Sequence, residues 1–458
     1  MNKRFVSNEE ASELISQLSL EFTVINNQAD SYPAFELCPI APKILTTQKH
    51  ISAVLINLDG CTISTNRLKL NALEYVVRQV SGRFETEQWR GLDRIIDIPN
   101  ILDEQHNNPV EYLIQRYHNF IKIDYFKRAY FHSVLWTLIL GPDQERKDQT
   151  RHNLQLLGCG EMLNDAKLAE YTALKEFTKY NSNVITNYFL HKYGRNLNIH
   201  SFGNTVKAAE DIFYKRYFEI LELIKLGEGH NLAEEILNEK DEYFVEPIAE
   251  VAVFFALIKG WLGEEVETLF DQINNSLKVT DSQNYRISDI EQVKRNLIRL
   301  AKEFEADPAR IAIVSSDTLY ESTVIGTELL NLISTQVRLW KISDHKKNFI
   351  FDKLTDPQNI IDAIVTRGDI NDIRLKPHRD LYSIALLKLG IPRTRFNEVL
   401  GIENNENGII ALRSAGIGLC VALPDSKYNM QSVASAAYVV SGGYPEIMLY
   451  YNCFMTIE

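Results

Sequence analysis

Two textures alternate along the chain. From about residue 65 to 300, apolar side chains recur every three or four positions. One stripe runs Leu68, Ala72, Tyr75 and Val76, with polar Gln79 as its last member. A second runs Ala209, Ile212, Phe213, Arg216, Tyr217, Ile220, Leu221 and Ile224, apolar but for Arg216, and a third includes Val293, Leu297, Leu300 and Phe304. This spacing predicts helices with one apolar face. Aromatic pairs such as Tyr125-Phe126 and Tyr130-Phe131 read as helix-packing core, because aromatic rings dominate burial. Gly158–Gly160 and Gly227–Gly229 are the turn signals in a region otherwise poor in Gly and Pro.

Elsewhere the pattern changes to short apolar runs, each stopped by polar residues or Gly. Ala53 to Ile56 ends at Asn57-Leu58-Asp59-Gly60, and Ile311 to Val314 at Ser315-Ser316-Asp317. Ala363 to Val365 ends at Thr366-Arg367-Gly368-Asp369, and Val399 to Ile402 at Glu403-Asn404-Asn405. Leu419 to Ala422 and Tyr438 to Val440 complete the set. Runs of this length, followed by helices, predict an α/β fold with a doubly wound parallel sheet. In such sheets ligands bind at the carboxyl ends of the strands, where these polar clusters fall.

Composition narrows the class. Of 458 residues, 45% are hydrophobic and 24% charged, enough apolar material for large cores. The net charge of −12 lacks the global signature of a nucleic-acid or anionic-membrane binder. Lys122 to Arg128 reads as a solvated helix face. Glu9, Glu10 and Glu13 interrupt any signal-peptide core. The longest apolar runs, such as Val251 to Ile258, fall far short of the ~20 residues of a membrane span. Cys38, Cys61, Cys159, Cys420 and Cys453 show no metal or disulfide spacing, which predicts reduced thiols and a cytoplasmic protein. The histidines likewise show no ligand spacing.

Taken in order, the polar clusters resemble the four motifs of the haloacid dehalogenase (HAD) superfamily. The nearest branch is the β-phosphoglucomutase and phosphatase group, which carries a helical cap. Asn57-Leu58-Asp59-Gly60-Cys61 matches the Asp-x-Asp-Gly opening, and Ser315 the Ser or Thr ending the second strand. Lys376-Pro377 matches the third motif. Glu403 to Gly408, followed by Ala415-Gly416, matches the fourth. The resemblance implies a HAD-like sheet at 51–64 and 308–458, with an enlarged all-helical cap inserted at 65–307 after the first strand. Residues 1–50 form an extension without a family counterpart. It is helical from Glu9 to Leu18 and then carries Pro33, Pro39 and Pro42; it is expected to pack on the core or to mediate dimerisation.

The resemblance also assigns chemistry. The first Asp of the family attacks phosphorus as a nucleophile, and the second serves as general acid and base. Mg²⁺, held by carboxylates, neutralises the phosphoryl oxygens, while Ser and Lys bind the transferring group. On this chain the nucleophile position is Asn57 and the acid/base position Asp59. Ser315 and Lys376 are the substrate-binding positions. Asn57, the Asp59 backbone carbonyl, Glu403 and Asn404 are the metal positions. Ser64 stands where many relatives have a further Asp. A carboxamide has no anionic oxygen for the attack, and losing a hydrolase nucleophile costs on the order of 10⁶ in kcat. With Asn also at 404, two formal charges are gone and only a weak Mg²⁺ site is expected.

Each residue has a plainer reading. Asp59 could accept backbone N–H bonds in its turn, and Ser315 could cap the next helix. Lys376 could be a solvated loop charge, and Glu403-Asn404 a polar turn before a helix starting near Asn407. Three functions stay open: an impaired or inactive phosphatase-fold protein for a small phosphorylated metabolite, an active Mg²⁺-dependent phosphatase or phosphomutase, and a scaffold whose helical cap binds a second copy or another protein.

Overall fold

The computed structural model describes residues 7–27, 33–46, 48, 50–82, 91–102, 108–229, 233, 243–279, 290–370, 374–424 and 433–450; Cys453 lies outside them. Ser7 opens α1 (Asn8–Leu18) with a reciprocal capping box to Glu10. Then β1 (Glu21–Asn26) and β2 (Phe35–Ile40) pair antiparallel, from Glu21 opposite Ile40 to Asn26 opposite Phe35. Pro39 is tolerated because a two-stranded ribbon leaves an edge with no ladder bond to lose. The hairpin is tied to the core unit. Arg413 donates to the Ala41 carbonyl at 2.9 Å and pairs with Glu21, and Arg374 pairs with Glu36 at 2.8 Å.

Next come β3 (Ala53–Asn57) and β4 (Ile63–Ser64). The helices that follow are α2 (Asn66–Ser81), α3 (Asp97–Leu102), α4 (Pro109–Tyr117), α5 (Ile123–Ile139), α6 (Gln144–Leu156), α7 (Ala166–Leu174), α8 (Ser182–Tyr193) and α9 (Phe202–Lys225). After β5 (Glu246–Pro247) stand α10 (Val251–Ile258), α11 (Phe270–Val279) and α12 (Ile290–Ala306). The rest is β6 (Arg310–Val314), α13 (Leu319–Leu339), α14 (Asp344–Leu354), β7 (Ala363–Val365), α15 (Asp380–Lys388), β8 (Val399–Glu403), α16 (Glu406–Ser414), β9 (Leu419–Ala422), β10 (Tyr438–Val439) and α17 (Gly443–Leu449).

The six-stranded sheet has the order β10-β9-β8-β3-β6-β7, and every pairing is parallel. β3 sits in the middle, with Ala53 aligned to both Arg310 and Val399. All five of its residues are buried, so both sheet faces are covered. On one face Leu55, Val314 and Cys420 pack with Leu381, Ala385 and Leu412 of α15 and α16. The α/β class and all six strand runs follow the apolar pattern to within a residue at either end.

The chain divides into two compact units, residues 1–64, 247–322 and 329–458, and residues 65–246 and 323–328. The helical unit therefore ends near 246, not at the expected 307. The cause is α10, which is buried at every position and has no polar face to offer solvent. Its last carbonyl accepts from Ala309 N–H at 2.9 Å, and its Phe254 ring lies 4.6 Å from Tyr444 of α17.

In the helical unit, Leu68, Ala72 and Val76 form the buried stripe of α2, with Tyr75 and Gln79 at its margin. Asp211 on α9 is buried and accepts from Thr150 Oγ1 at 3.1 Å and Asn153 Nδ2 at 3.2 Å. Burial pushes its carboxyl up to about 7 against these hydrogen bonds. Among the described residues, no helix is long and apolar enough to cross a membrane.

Candidate active site

The site forms where β3, β6 and β8 end side by side. Asn57 closes β3 opposite Val314, and Leu58 N–H donates to the Val314 carbonyl at 3.1 Å. The chain then turns tightly. Gly60 adopts φ +85°, and Thr62 Oγ1 bonds the Leu58 carbonyl at 2.6 Å. A Cβ at Gly60 would collide with the Asn404 carboxamide, so this turn needs glycine for both its φ and its neighbour. Tyr444 Oη donates to the Cys61 carbonyl at 2.8 Å and pins the far side of the loop.

At the end of β8 the Glu403 side chain is wholly buried. It lies against Gly408 of α16, where a Cβ would occupy the position of the carboxyl group. Asn405 caps α16 by accepting from Gly408 N–H at 2.7 Å, so the helix starts at Glu406, one residue before the expected Asn407. Lys376, in the loop before α15, brings its ammonium 2.6 Å from Glu403 Oε1 and 2.8 Å from Asn57 Oδ1. Its side chain is 9% exposed, which overturns the reading of a solvated loop charge. The same ammonium lies 5.2 Å from the centre of the Tyr382 ring.

Hydrogen-bond chemistry fixes how Asn57 is oriented. Lys376 can only donate, so it faces the carboxamide oxygen. The nitrogen donates to the Asp59 backbone carbonyl at 2.6 Å and to Asn404 Oδ1 at 3.1 Å. Asn404 Oδ1 also accepts from Asn405 Nδ2 at 3.1 Å. Glu403 is fully engaged as well. Oε1 takes Lys376 and the Tyr382 hydroxyl, and Oε2 takes Asn404 N–H at 3.2 Å. Burial and the Glu403 charge hold the Tyr382 hydroxyl well above its ordinary value, so it stays a donor.

This donor set does not fit Mg²⁺. All four groups assigned to the metal face N–H or ammonium donors: the Asp59 carbonyl and Asn404 Oδ1 face the Asn57 amide, and Asn57 Oδ1 and the Glu403 carboxylate face Lys376. Among the described residues, no group of three His, Cys, Asp or Glu could hold a metal ion.

Ser315 makes its side-chain hydrogen bonds outside this cluster. Its hydroxyl donates to Asp317 Oδ2 at 2.7 Å and accepts from Asp317 N–H at 3.1 Å. The cap of α13 is Thr318, which accepts from Glu321 N–H at 3.2 Å, so Ser315 does not cap that helix. Asp59 is partly buried, with its carbonyl engaged by Asn57. Sequence reasoning overlooked Tyr382 as a site residue. Its place in α15, six positions after Lys376, was the available signal.

The four motif clusters thus lie on neighbouring elements of one parallel sheet whose first strand is central. This is the arrangement of strands and motif positions that the resemblance to the HAD superfamily implies. No protein-family model matches the chain, and no curated protein matches it in sequence. Some solved structures are similar to it. CbbY from Rhodobacter sphaeroides in complex with phosphate is 13% identical and matches over 87% of this chain and 99% of its own, at a TM-score of 0.34. A putative β-phosphoglucomutase from Thermotoga maritima is 12% identical over 87% and 97%, at 0.31. A predicted phosphoglycolate phosphatase from Haemophilus somnus 129pt is 11% identical over 87% and 96%, at 0.34.

Proposed function

We propose that this HAD-like protein holds a small phosphorylated metabolite without hydrolysing it, in a reducing cytoplasmic setting suited to its free thiols. One observation carries the reading. Asn57 spends its carboxamide on Lys376, Asp59 and Asn404, and so supplies neither a nucleophile nor a metal ligand. A hydrolase needs an anionic oxygen at this position and a cation beside it. Here the amide N–H group stands where the cation would, and the ammonium of Lys376 is the cationic group left to meet a phosphate.

The test is an assay with an aryl phosphate and Mg²⁺ across a wide pH range, with a Lys376→Ala control. The expected result is no turnover above the control. Clear turnover would overturn the proposal. A thermal-shift screen of sugar phosphates and nucleotides supplies the binding arm, since a ligand of the native state raises stability by mass action.

A further inference from the structure

A second cavity opens in the sheet-containing unit, between the end of β2, α15 and the C-terminal end of α16. Its volume is about 1040 Å³, the size of a small-molecule site. Ile384, Leu387 and Phe396 supply apolar wall, and Leu387 is 78% exposed. Four arginines also line it, and they are not equivalent. Arg374 is paired with Glu36 and Asp380, and Arg413 with Glu21. Arg379 and Arg393 have no acidic partner within salt-bridge reach among the described residues. The two acids of the wall are already neutralised, Asp380 by Arg374 and Asp369 by Lys388 at 2.6 Å. The wall therefore carries two uncompensated guanidinium groups beside apolar surface.

One further feature adds to the positive charge. Arg379 stands at the N-cap of α15, where no side chain caps the first N–H groups. The positive end of that helix adds to the guanidinium charge.

We propose that this cavity binds a small amphipathic anion, a carboxylate or phosphate head on an apolar body. The head would meet Arg379 and Arg393, whose planar donors suit both oxyanions. The body would cover Ile384, Leu387 and Phe396. Non-covalent binding is all that is asked of the site.

The test is a fluorescence titration of the full chain with 8-anilinonaphthalene-1-sulfonate, followed by displacement with decanoate, decyl phosphate or decanol. One saturable site per chain is expected, displaced by one or both anions and not by decanol. The anion that displaces at lower concentration identifies the head. Replacing Arg379→Ser and Arg393→Ser together, both at exposed positions, should weaken binding by about tenfold or more. Ser383→Trp, which fills the cavity without touching either charge, should abolish it. The proposal fails if binding does not saturate, if decanol competes as well as the anions, or if the arginine pair can be removed without effect.

Discussion

The carboxamide nitrogen of Asn57 lies 2.6 Å from the backbone carbonyl of Asp59, two residues ahead in the same turn. That bond ties the end of β3 to its own loop. It also predicts how a carboxylate would behave there. Asn57→Asp would replace the donor with an oxygen facing the Asp59 carbonyl and Asn404 Oδ1. The expected loss is about 1–3 kcal/mol, because two N–H hydrogen bonds give way to oxygen facing oxygen. Added Mg²⁺ should recover the variant's melting temperature and leave the natural protein's unchanged. A Mg²⁺-induced rise in the natural protein would contradict the N–H-for-cation arrangement.

Lys376 and Glu403 form a buried pair at 2.6 Å. Removing one charge strands the other, at a cost of about 3–5 kcal/mol. Lys376→Met should therefore lower the urea midpoint strongly, and adding Glu403→Gln should return much of the loss. Equal midpoints for the single and double variants would refute coupling between the two charges.

Gly408 lies on the first turn of α16. Alanine there should add up to about 1 kcal/mol of helix propensity. It would also drive a methyl group into Glu403, and overpacking of this kind costs about 1–3 kcal/mol. The net expectation for Gly408→Ala is destabilisation, measured by chemical denaturation. A more stable variant would show that Glu403 can move aside.

Asp211 makes the stability of the helical unit pH-dependent. Its folded value of about 7 lies above the ordinary 3.8. Below pH 4 both states hold the proton and nothing is lost. As pH rises to 7 the folded state binds more protons than the unfolded one, so stability falls, then levels off. Asp211→Asn should remove this slope and be worth on the order of a few kcal/mol more at pH 8 than at pH 4. Melts of both proteins at the two pH values decide it; parallel pH profiles would count against a buried neutral carboxyl.

The sheet was legible because a parallel strand buried on both faces leaves an unbroken apolar run. Ala53–Ile56 and Leu419–Ala422 read directly for that reason. The candidate site was legible as positions, since each motif sits where a strand stops. Its wiring was not. Nothing in the sequence says that Lys376 meets Glu403 and Asn57, or that Ser315 turns to Asp317, because those bonds depend on loop geometry. The hairpin of β1 and β2 was masked by Pro39, which demotes a strand reading. The cap boundary went astray at α10, whose apolar run fits a buried helix of either unit.

The placement of β3 also dictates when this protein can assemble. Asn57 and Asn404 are bonded to each other across 347 positions of sequence. At about 5–20 residues per second of synthesis, the first strand waits roughly 20–70 s for its neighbour β8 to emerge. During that interval the helical unit, contiguous from 65 to 246 apart from six later residues, can fold from local contacts, while the central strand has no sheet neighbour until β6 emerges. The nascent chain therefore carries the apolar run Ala53–Asn57 without either of its sheet partners through more than half of its synthesis.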